Sequence, residues 1–261
     1  MPVERLMSRA NAISTSLAVD PGVRAVFVGG SLAAGSADIH SDIDIYAIAA
    51  EAGLDRVCAA SGRALAEAGE LLMLRRVDYG FPMDVFVYAD GIHGELGLGT
   101  STTLADLHYG PYRVLFDHDG ILSGYTFPGW PVAASEKQQR VRDILEWYWR
   151  GGLLVRGYLA RGDLLAAAEQ LATLRGLVAA MARSKYSDQQ ASTSLYRIGR
   201  ETASTDLEVI KRTFFELRAE DMKQACTVLD AYALDFARTE LKGGPPREAV
   251  QRLAALCTTG V

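Results

Sequence analysis

The sequence predicts an α+β domain, with a mixed sheet flanked by helices, over residues 1–131, followed by an all-α helical bundle over residues 132–261. Short apolar runs that alternate with turns and amphipathic segments in the first half are typical of a sheet with helices. The second half of the chain consists of helical patterns that begin and end with typical capping residues. A segment rich in proline and glycine, residues 128–131, lies between the two patterns and predicts the domain boundary.

Length and composition are those of an ordinary globular protein. The chain has 261 residues, of which 49% are hydrophobic, enough for one large core or two smaller ones. No run approaches about 18 consecutive apolar residues, and charged residues occur within the first ten, so we expect neither a membrane span nor a secretory signal. The three cysteines are far apart, which favours a reducing compartment, the cytoplasm, and argues against a zinc site.

Charge differs between the two halves. Residues 1–131 carry 8 basic and 16 acidic side chains and no lysine, whereas residues 132–261 carry 19 basic and 16 acidic side chains. Proteins that bind a nucleic-acid backbone need several cationic contacts. We therefore expect a small-molecule substrate and no nucleic-acid partner.

The N-terminal domain is predicted to begin with an amphipathic helix over residues 2–19, which is followed by the most informative stretch of the chain. An apolar strand at residues 24–28 ends in the turn Gly29-Gly30-Ser31, and a second strand occupies residues 42–46. Because side chains alternate along a strand, Asp42 and Asp44 should point the same way, about 6.5 to 7 Å apart along the backbone.

Parallel carboxylates at the end of a strand repel each other unless a cation lies between them. Mg²⁺ suits Asp42 and Asp44, since it prefers oxygen ligands and is often bound by one or two carboxylates plus substrate phosphates. Glycines in the preceding turn allow the backbone to approach a phosphate closely. The predicted nucleotide-binding residues are therefore those of the turn and the serine before Asp42, namely Gly29, Gly30, Ser31 and Ser41.

This combination, GGS followed about ten residues later by SDIDIY, resembles the signature of the DNA polymerase beta-like nucleotidyltransferase superfamily. The resemblance implies a nucleotidyltransferase fold for the N-terminal domain. It also implies that Ser31 and the neighbouring amides bind nucleotide phosphates, and that Asp42 and Asp44 hold two Mg²⁺ ions. The alternative is a strand that merely begins with two exposed acidic residues after a turn.

Downstream of this signature we predict a helix over residues 53–69 and two strands at residues 71–77 and 82–89. Asp84 begins the second of these strands. Superfamily members carry a third carboxylate on a neighbouring strand, and antibiotic adenylyltransferases of the streptomycin type use such an acid as general base. The resemblance therefore implies that Asp84 faces Asp42 and Asp44, as a metal ligand or as the base.

Residues 90–96 are predicted to form a glycine-rich loop that carries a second candidate base. With the preceding strand, this segment looks like the lincosamide nucleotidyltransferases of the two-domain kind, in which an R-G-E-F stretch corresponds to H-G-E-L here. Carried over by position, Glu95 is the acid that deprotonates the antibiotic hydroxyl. The chain departs from that family at Asp44, where glutamate is expected, and at His93, where arginine is expected.

The other histidines are interpreted as turn or surface residues: His40, His108 and His118. A last strand is predicted at residues 113–117. Beyond the boundary, the patterns predict six helices over residues 135–161, 163–183, 187–200, 204–218, 219–241 and 246–256. Aromatic residues on the first of them are interpreted as core, with a cleft wall as the alternative: Trp147, Tyr148, Trp149 and Tyr158. Candidate cations for the triphosphate are Lys137, Arg150, Arg156 and Lys185.

The sequence thus predicts Mg²⁺-dependent transfer of a nucleoside monophosphate from a nucleoside triphosphate, with ATP favoured, to a hydroxyl of a small-molecule antibiotic. A lincosamide is the first choice of acceptor and an aminoglycoside the second, because a polycation would prefer acidic walls on both sides of a cleft. Rival hypotheses are a nucleotidyltransferase-like partner in a toxin–antitoxin pair and an inactive binding protein. The resemblance also makes a homodimer possible.

Overall fold

The computed structural model describes residues 3–129 and 131–259 and confirms the predicted fold class. The chain divides into two compact units, Met1–Gly129 and Trp130–Val261. The first unit contains a mixed six-stranded sheet with helices, and the second is helical.

The sheet of the first unit has the strand order β3-β4-β5-β2-β1-β6. Within it, β2 and β5 are parallel, and the other neighbouring pairs are antiparallel. The strands are β1 (Val23–Val28), β2 (Ile43–Ala49), β3 (Leu71–Asp78), β4 (Pro82–Tyr88), β5 (His93–Thr100) and β6 (Arg113–Asp117). The helices of this unit are α1 (Val3–Leu17), α2 (Gly30–Ala34), α3 (Leu54–Glu67) and α4 (Leu104–Leu107).

The two faces of this sheet have different cores. One face packs against α1 and α3 through a large aliphatic cluster that includes Ile43, Ile45 and Leu96. The opposite face carries a smaller cluster rich in aromatic residues, built around Phe27 and Phe127. Alternation along β2 places Ile43 and Ile45 on the first face and Asp44 and Tyr46 on the opposite one.

The prediction of a loop over residues 90–96 is wrong from His93 onward, because β5 begins at that residue and lies in the interior of the sheet. The glycines of β5 make the strand difficult to predict from the sequence, since glycine is depleted in strands. Packing explains two of them. A Cβ on Gly94 would lie 2.2 Å from the carbonyl oxygen of Ile43, and one on Gly97 would lie 2.6 Å from the Tyr46 ring.

The second unit contains α5 (Ala134–Ala160), α6 (Leu164–Ser184), α7 (Ile198–Glu201), α8 (Ser204–Lys211), α9 (Ala219–Glu240) and α10 (Pro245–Thr259). The helix predicted over residues 187–200 is wrong, since only its last residues are helical. Carbonyl groups of this segment accept hydrogen bonds from the buried Arg183 guanidinium, which stabilises a loop there. The helix predicted to end at residue 218 ends at Lys211.

The core of this unit includes two of the four aromatic residues predicted on α5. Tyr148 and Trp149 are completely buried, whereas Trp147 is exposed. Among residues 3–129 and 131–259, α6 is the one helix whose length and composition would suffice to cross a membrane. Half of its most apolar window is buried inside the protein, and buried core helices pass the same test.

Candidate active site

The turn Gly29-Gly30-Ser31 follows β1, includes the first two residues of α2 and lies directly beside β2. The amide of Gly29 donates a 2.9 Å hydrogen bond to the carbonyl oxygen of Asp44. Gly30 has φ of +55°, and a Cβ at this position would lie only 1.8 Å from Oδ2 of Asp44. Glycine is therefore required for both the backbone conformation and the close approach of the carboxylate.

Three carboxylates lie on the sheet face opposite α1 and α3. Asp44 on β2 is the register partner of Glu95 on β5, so their side chains project from the same face of neighbouring parallel strands. Asp42 precedes β2 and, two residues before Asp44, has the same orientation by alternation. The structure thus brings together three of the four acidic residues predicted from the sequence.

The electrostatic properties of this face reflect the clustering. Burial, and then the negative charge of Asp42, raise the pKa of the Glu95 carboxyl above its usual range. Burial, with the charges of Asp44 and Glu95, also raises the pKa of Tyr46, which follows Asp44 on the same face of β2. In the described parts of the chain, neither Asp42 nor Glu95 forms an ion pair with a lysine or arginine. A cation at this face would be electrostatically favourable.

Ser31 contributes a buried hydroxyl at the start of α2. Its Oγ is inaccessible to solvent and has no hydrogen-bond partner among the described residues. Buried polar groups are nearly always hydrogen-bonded, so an unpartnered hydroxyl beside a glycine turn needs an explanation. A ligand oxygen bound at the turn would provide the missing partner.

Asp84 does not belong to this cluster, and the expectation that it faces Asp42 and Asp44 is wrong. Its register partner on β5 is Leu96, which packs on the helix-covered face. There the buried carboxylate accepts hydrogen bonds from Arg76 at 2.7 and 2.8 Å and from Ser61 of α3 at 2.5 Å. These contacts give Asp84 a structural environment, with its charge already compensated.

Ser41 is likewise engaged elsewhere. Its hydroxyl accepts a 2.9 Å hydrogen bond from the amide of Asp38 and lies 3.2 Å from the carboxylate of that residue. This arrangement closes the turn that precedes Asp42. The geometry gives no support to a nucleotide contact by Ser41.

His108 was missed by the sequence analysis, because its interpretation as a turn or surface residue is wrong. The ring is buried and packs on Gly29, where an added Cβ would lie 2.5 Å from Cε1. Its Nε2 lies 3.0 Å from the carbonyl oxygen of Pro111, which can only accept, so Nε2 carries the proton. Burial lowers the pKa of His108, which favours the neutral ring.

Aromatic rings pack against one another from His108 to Tyr46, next to the carboxylates. Tyr46 stacks on Phe27 with ring centroids 4.9 Å apart, and His108 lies 5.1 Å from Tyr46. Tyr109 stacks near His108 at 6.3 Å and is more than half exposed. The position of Tyr46, two residues after Asp44, was a usable sequence signal, whereas nothing local to His108 indicated its place.

The candidate cations of the helical unit are mostly engaged within that unit. Arg156 pairs with Asp230, Lys185 lies 3.0 Å from Asp206, and Lys137 lies 3.4 Å from Asp188. Arg150 contacts the Trp147 ring, with 5.4 Å from its guanidinium carbon to the ring centroid, and forms no ion pair among the described residues.

Carboxylates and an unpartnered hydroxyl at a glycine turn are suitable donors for Mg²⁺ and a phosphate. In the described segments, no three His, Cys, Asp or Glu side chains form a complete metal site by themselves. A Mg²⁺ ion does not require three, because it commonly binds one or two carboxylates and takes its other oxygens from phosphates and water. Asp42 and Asp44 fit that pattern.

Comparisons with known proteins give similarity at the level of structure only. The chain matches no protein-family profile and no curated protein sequence. Among solved structures, it is similar to an aminoglycoside 6-adenyltransferase from Bacillus subtilis, at 14% identity, TM-score 0.40 and coverage of 98% of both chains. It is also similar to a nucleotidyltransferase-like protein from Exiguobacterium sibiricum 255-15, at 11% identity and TM-score 0.44, over 88% of this chain and 76% of that one. At these values, neither similarity assigns an activity or a substrate.

Proposed function

We propose that the chain is a nucleotidyltransferase that transfers a nucleoside monophosphate from a nucleoside triphosphate to a hydroxyl of a small-molecule antibiotic. One observation carries this proposal. Asp42, Asp44 and Glu95 share one face of neighbouring parallel strands, and Gly30 of the adjoining turn lies against the Asp44 carboxylate. The unpartnered hydroxyl of Ser31 at the same turn supports a phosphate-binding role.

Each residue has a defined task in this proposal. The turn around Gly30 and the Ser31 hydroxyl bind phosphate oxygens of the nucleotide, which we take to be ATP. Asp42 and Asp44 would hold Mg²⁺, with two ions as in related two-metal sites. When bound, Mg²⁺ supplies Lewis-acid stabilisation of the negative charge on the phosphates.

Glu95 is proposed as the general base, because it is the remaining carboxylate on the same face. It accepts the proton of the acceptor hydroxyl, and the hydroxyl oxygen forms a bond to the α-phosphorus of the nucleotide. The bond from that phosphorus to the bridging oxygen breaks, and pyrophosphate leaves with the electron pair. The products are an O-nucleotidylated acceptor and pyrophosphate.

Two acceptor classes remain to be distinguished by experiment. A lincosamide is the first choice from the sequence, since the helical half is net basic and does not obviously favour a polycation. An aminoglycoside is the alternative, and the three clustered carboxylates would attract its ammonium groups. We place the reaction in the cytoplasm, in keeping with three free cysteines.

The test uses the purified full chain with Mg²⁺, isotope-labelled ATP, and either lincomycin or kanamycin. Mass spectrometry should detect one antibiotic that has become heavier by one nucleoside monophosphate. The adduct should disappear with Asp42→Asn and with Glu95→Gln. The matched control is Asp55→Asn, which removes the same charge from an exposed residue of α3 and should keep the activity.

Other outcomes have defined meanings. Full activity of Glu95→Gln would refute its role as base and leave nucleotidyl transfer intact. Bound ATP with no adduct on either antibiotic would refute the antibiotic acceptor. That result would favour a protein acceptor or an inactive regulator, such as a toxin–antitoxin partner.

A further inference from the structure

Arg75 and Arg76 are consecutive residues of the edge strand β3, and their side chains lie on opposite faces of the sheet. Arg76 contacts Asp84 and Ser61 on the helix-covered face. Arg75 therefore lies on the face of the clustered carboxylates. It is exposed, and its guanidinium forms no ion pair among the residues that the structure describes. Of these two arginines, only Arg76 has an evident structural role.

Strand register places Arg75 in one row with the candidate base. Arg75 is paired with Val85 of β4, and Val85 is paired with Glu95 of β5. Glu95 is in turn paired with Asp44 of β2. Because neighbouring strands lie about 4.8 Å apart, the backbones of Arg75 and Glu95 are separated by about 10 Å. The half-buried Val85 side chain lies between the arginine and the carboxylate.

Two more apolar side chains lie next to this row on the same face. Met73 of β3 is paired with Val87 of β4, two residues from Arg75 and Val85 respectively. Met73 is 42% exposed, and Val87 is half-buried. We call Met73, Val85 and Val87 the apolar strip. A cation at Arg75 and an anion at Glu95 thus lie on either side of an accessible apolar surface.

The topology indicates on which side of the candidate site an acceptor would bind. The turn around Gly30 adjoins Asp44 from the side of β1, whereas Glu95 adjoins Asp44 from the side of β5. In phosphoryl transfer, the attacking and leaving oxygens lie roughly in line on opposite sides of the phosphorus. With the nucleotide phosphates at the turn, the acceptor would enter from the side of β5. Its body would then extend from Glu95 across β4 toward β3.

We propose that Arg75 is a specificity-determining residue for the acceptor, an inference that rests on the nucleotidyl transfer proposed above. The reacting hydroxyl lies at Glu95, an apolar ring face contacts the apolar strip, and Arg75 donates hydrogen bonds to an oxygen-rich group on the far side of the ring. A guanidinium group matches carboxylate and phosphate oxygens in geometry and charge, and it repels an ammonium group at the same position. The acceptor is therefore a neutral or anionic hydroxyl compound, and polycations are disfavoured.

Three single-ring sugars test this selectivity without requiring turnover. Glucosamine is cationic, N-acetylglucosamine is neutral and glucuronate is anionic, and all three carry ring hydroxyls. Each is titrated at low salt into the full chain with Mg²⁺ and a non-hydrolysable ATP analogue. The methyl signals of protein labelled with ¹³C at Met and Val report binding, and Met73→Leu and Val87→Ile identify the signals of the apolar strip. We expect these signals to shift and saturate, with glucuronate binding more tightly than glucosamine and N-acetylglucosamine between them.

Variants of Arg75 should change this order. Arg75→Gln should lower the preference for glucuronate over glucosamine about tenfold, and Arg75→Glu should reverse it, as expected for unit charges about 5 Å apart in water. The reversal should diminish at high salt, because exposed charges are screened. The matched control is Arg63→Glu, which makes the same change of charge at an exposed residue of α3, on the other side of the sheet. Its preference should stay within twofold of that of wild type.

Three results would overturn the proposal. They are an unchanged preference in Arg75→Glu, an equal change in Arg63→Glu, and the absence of a saturable shift of the apolar strip with all three sugars. The adduct experiment described above separates this inference from the proposed function. A preference that depends on Arg75, in a protein that forms no adduct from ATP, would refute nucleotidyl transfer and retain the binding site. Adduct formation with an unchanged preference in Arg75→Glu would retain the transfer and refute the role of Arg75.

Discussion

The two faces of one sheet use aspartate and glutamate in opposite ways. On the helix-covered face, Asp84 is buried with a side-chain exposure of 3% and is compensated by Arg76 and by the Ser61 hydroxyl. On the other face, Asp42 and Glu95 lie together with no ion pair to a lysine or arginine among the described residues, and Glu95 has a raised pKa. Asp84 and Glu95 are on adjacent strands, β4 and β5. A single step in side-chain alternation thus separates a structural carboxylate from a candidate catalytic one.

The partners of a carboxylate therefore indicate its role better than its position at the start of a strand does. A compensated buried acid contributes to stability, and removing one partner leaves the other charge uncompensated. A cluster of like charges destabilises the folded protein, and a bound cation would relieve that repulsion.

The largest contrast is expected between Asp44→Asn and Asp84→Asn. The first variant should lower nucleotidyl transfer by about a hundred- to a thousandfold, because it removes a charge that would bind the metal. The second should lower the free energy of unfolding by about 2 kcal/mol, a moderate value because the Arg76 side chain is 41% exposed, and keep turnover per folded molecule. Urea unfolding and adduct formation measure the two effects. Loss of activity in a folded Asp84→Asn protein would contradict the division.

Two glycines with positive φ form the next pair. Gly30→Ala would place a methyl group against the Asp44 carboxylate, whereas Gly35, with φ of +67°, has no atom within 4 Å of an added Cβ. Both variants should lose about 1 kcal/mol of stability from backbone strain, and Gly30→Ala should lose more, because its methyl group would clash with the Asp44 carboxylate. Only Gly30→Ala should lose activity, by about tenfold or more, since it displaces the carboxylate. Equal activities of the two variants would show that the close approach at Gly30 has no functional importance.

Ser31 and Ser61 are buried serines on opposite faces of the sheet, and they should respond differently to replacement by alanine. Ser31→Ala removes a hydroxyl without a partner, so stability should stay the same or rise slightly, while KM for the nucleotide should increase about tenfold. Ser61→Ala removes a hydroxyl that contacts Asp84 and Arg76, and should lower the free energy of unfolding by about 1 to 2 kcal/mol at unchanged KM. Thermal unfolding and steady-state kinetics distinguish them. An unchanged KM in Ser31→Ala would remove the hydroxyl from the proposed phosphate site.

The smallest effect concerns pH and His108. Burial lowers the pKa of this histidine in the folded protein, and the unfolded value is about 6.5. As pH falls below about 6.5, the unfolded chain binds a proton that the folded chain does not, so stability should decrease until the pH reaches the lowered folded pKa. His108→Gln should remove this part of the decrease, about 1.4 kcal/mol for each unit of pKa difference.

The appropriate control for His108 is His40→Gln, which changes an exposed histidine. Unfolding in urea at pH 7.5 and pH 5.5 should show the smaller pH effect only in His108→Gln. The same pH effect in both variants and wild type would mean that burial of His108 does not influence stability in this range.

Consecutive residues were enough to predict the order of elements around the glycine turn, the common orientation of Asp42 and Asp44, and the change from sheet to helices. These features depend on local periodicity and on turn chemistry, both of which are determined by residues close together in the sequence. Glu95 was found by resemblance to a family, although its segment was taken for a loop. The pattern of Gly94 and Gly97 concealed β5 because the reason for those glycines is contact with Ile43 and Tyr46 of another strand.

Which acidic residues meet depends on the pairing of segments that are distant in the sequence. Strand register assigns Glu95 to the face of Asp44 and Asp84 to the opposite face, and register is set by pairing between distant segments. The same holds for His108, which reaches Gly29 from far along the chain, and for the Arg183 side chain that stabilises a loop in place of a predicted helix. Local pattern specifies what each segment can form, whereas burial and long-range partners decide what its side chains do.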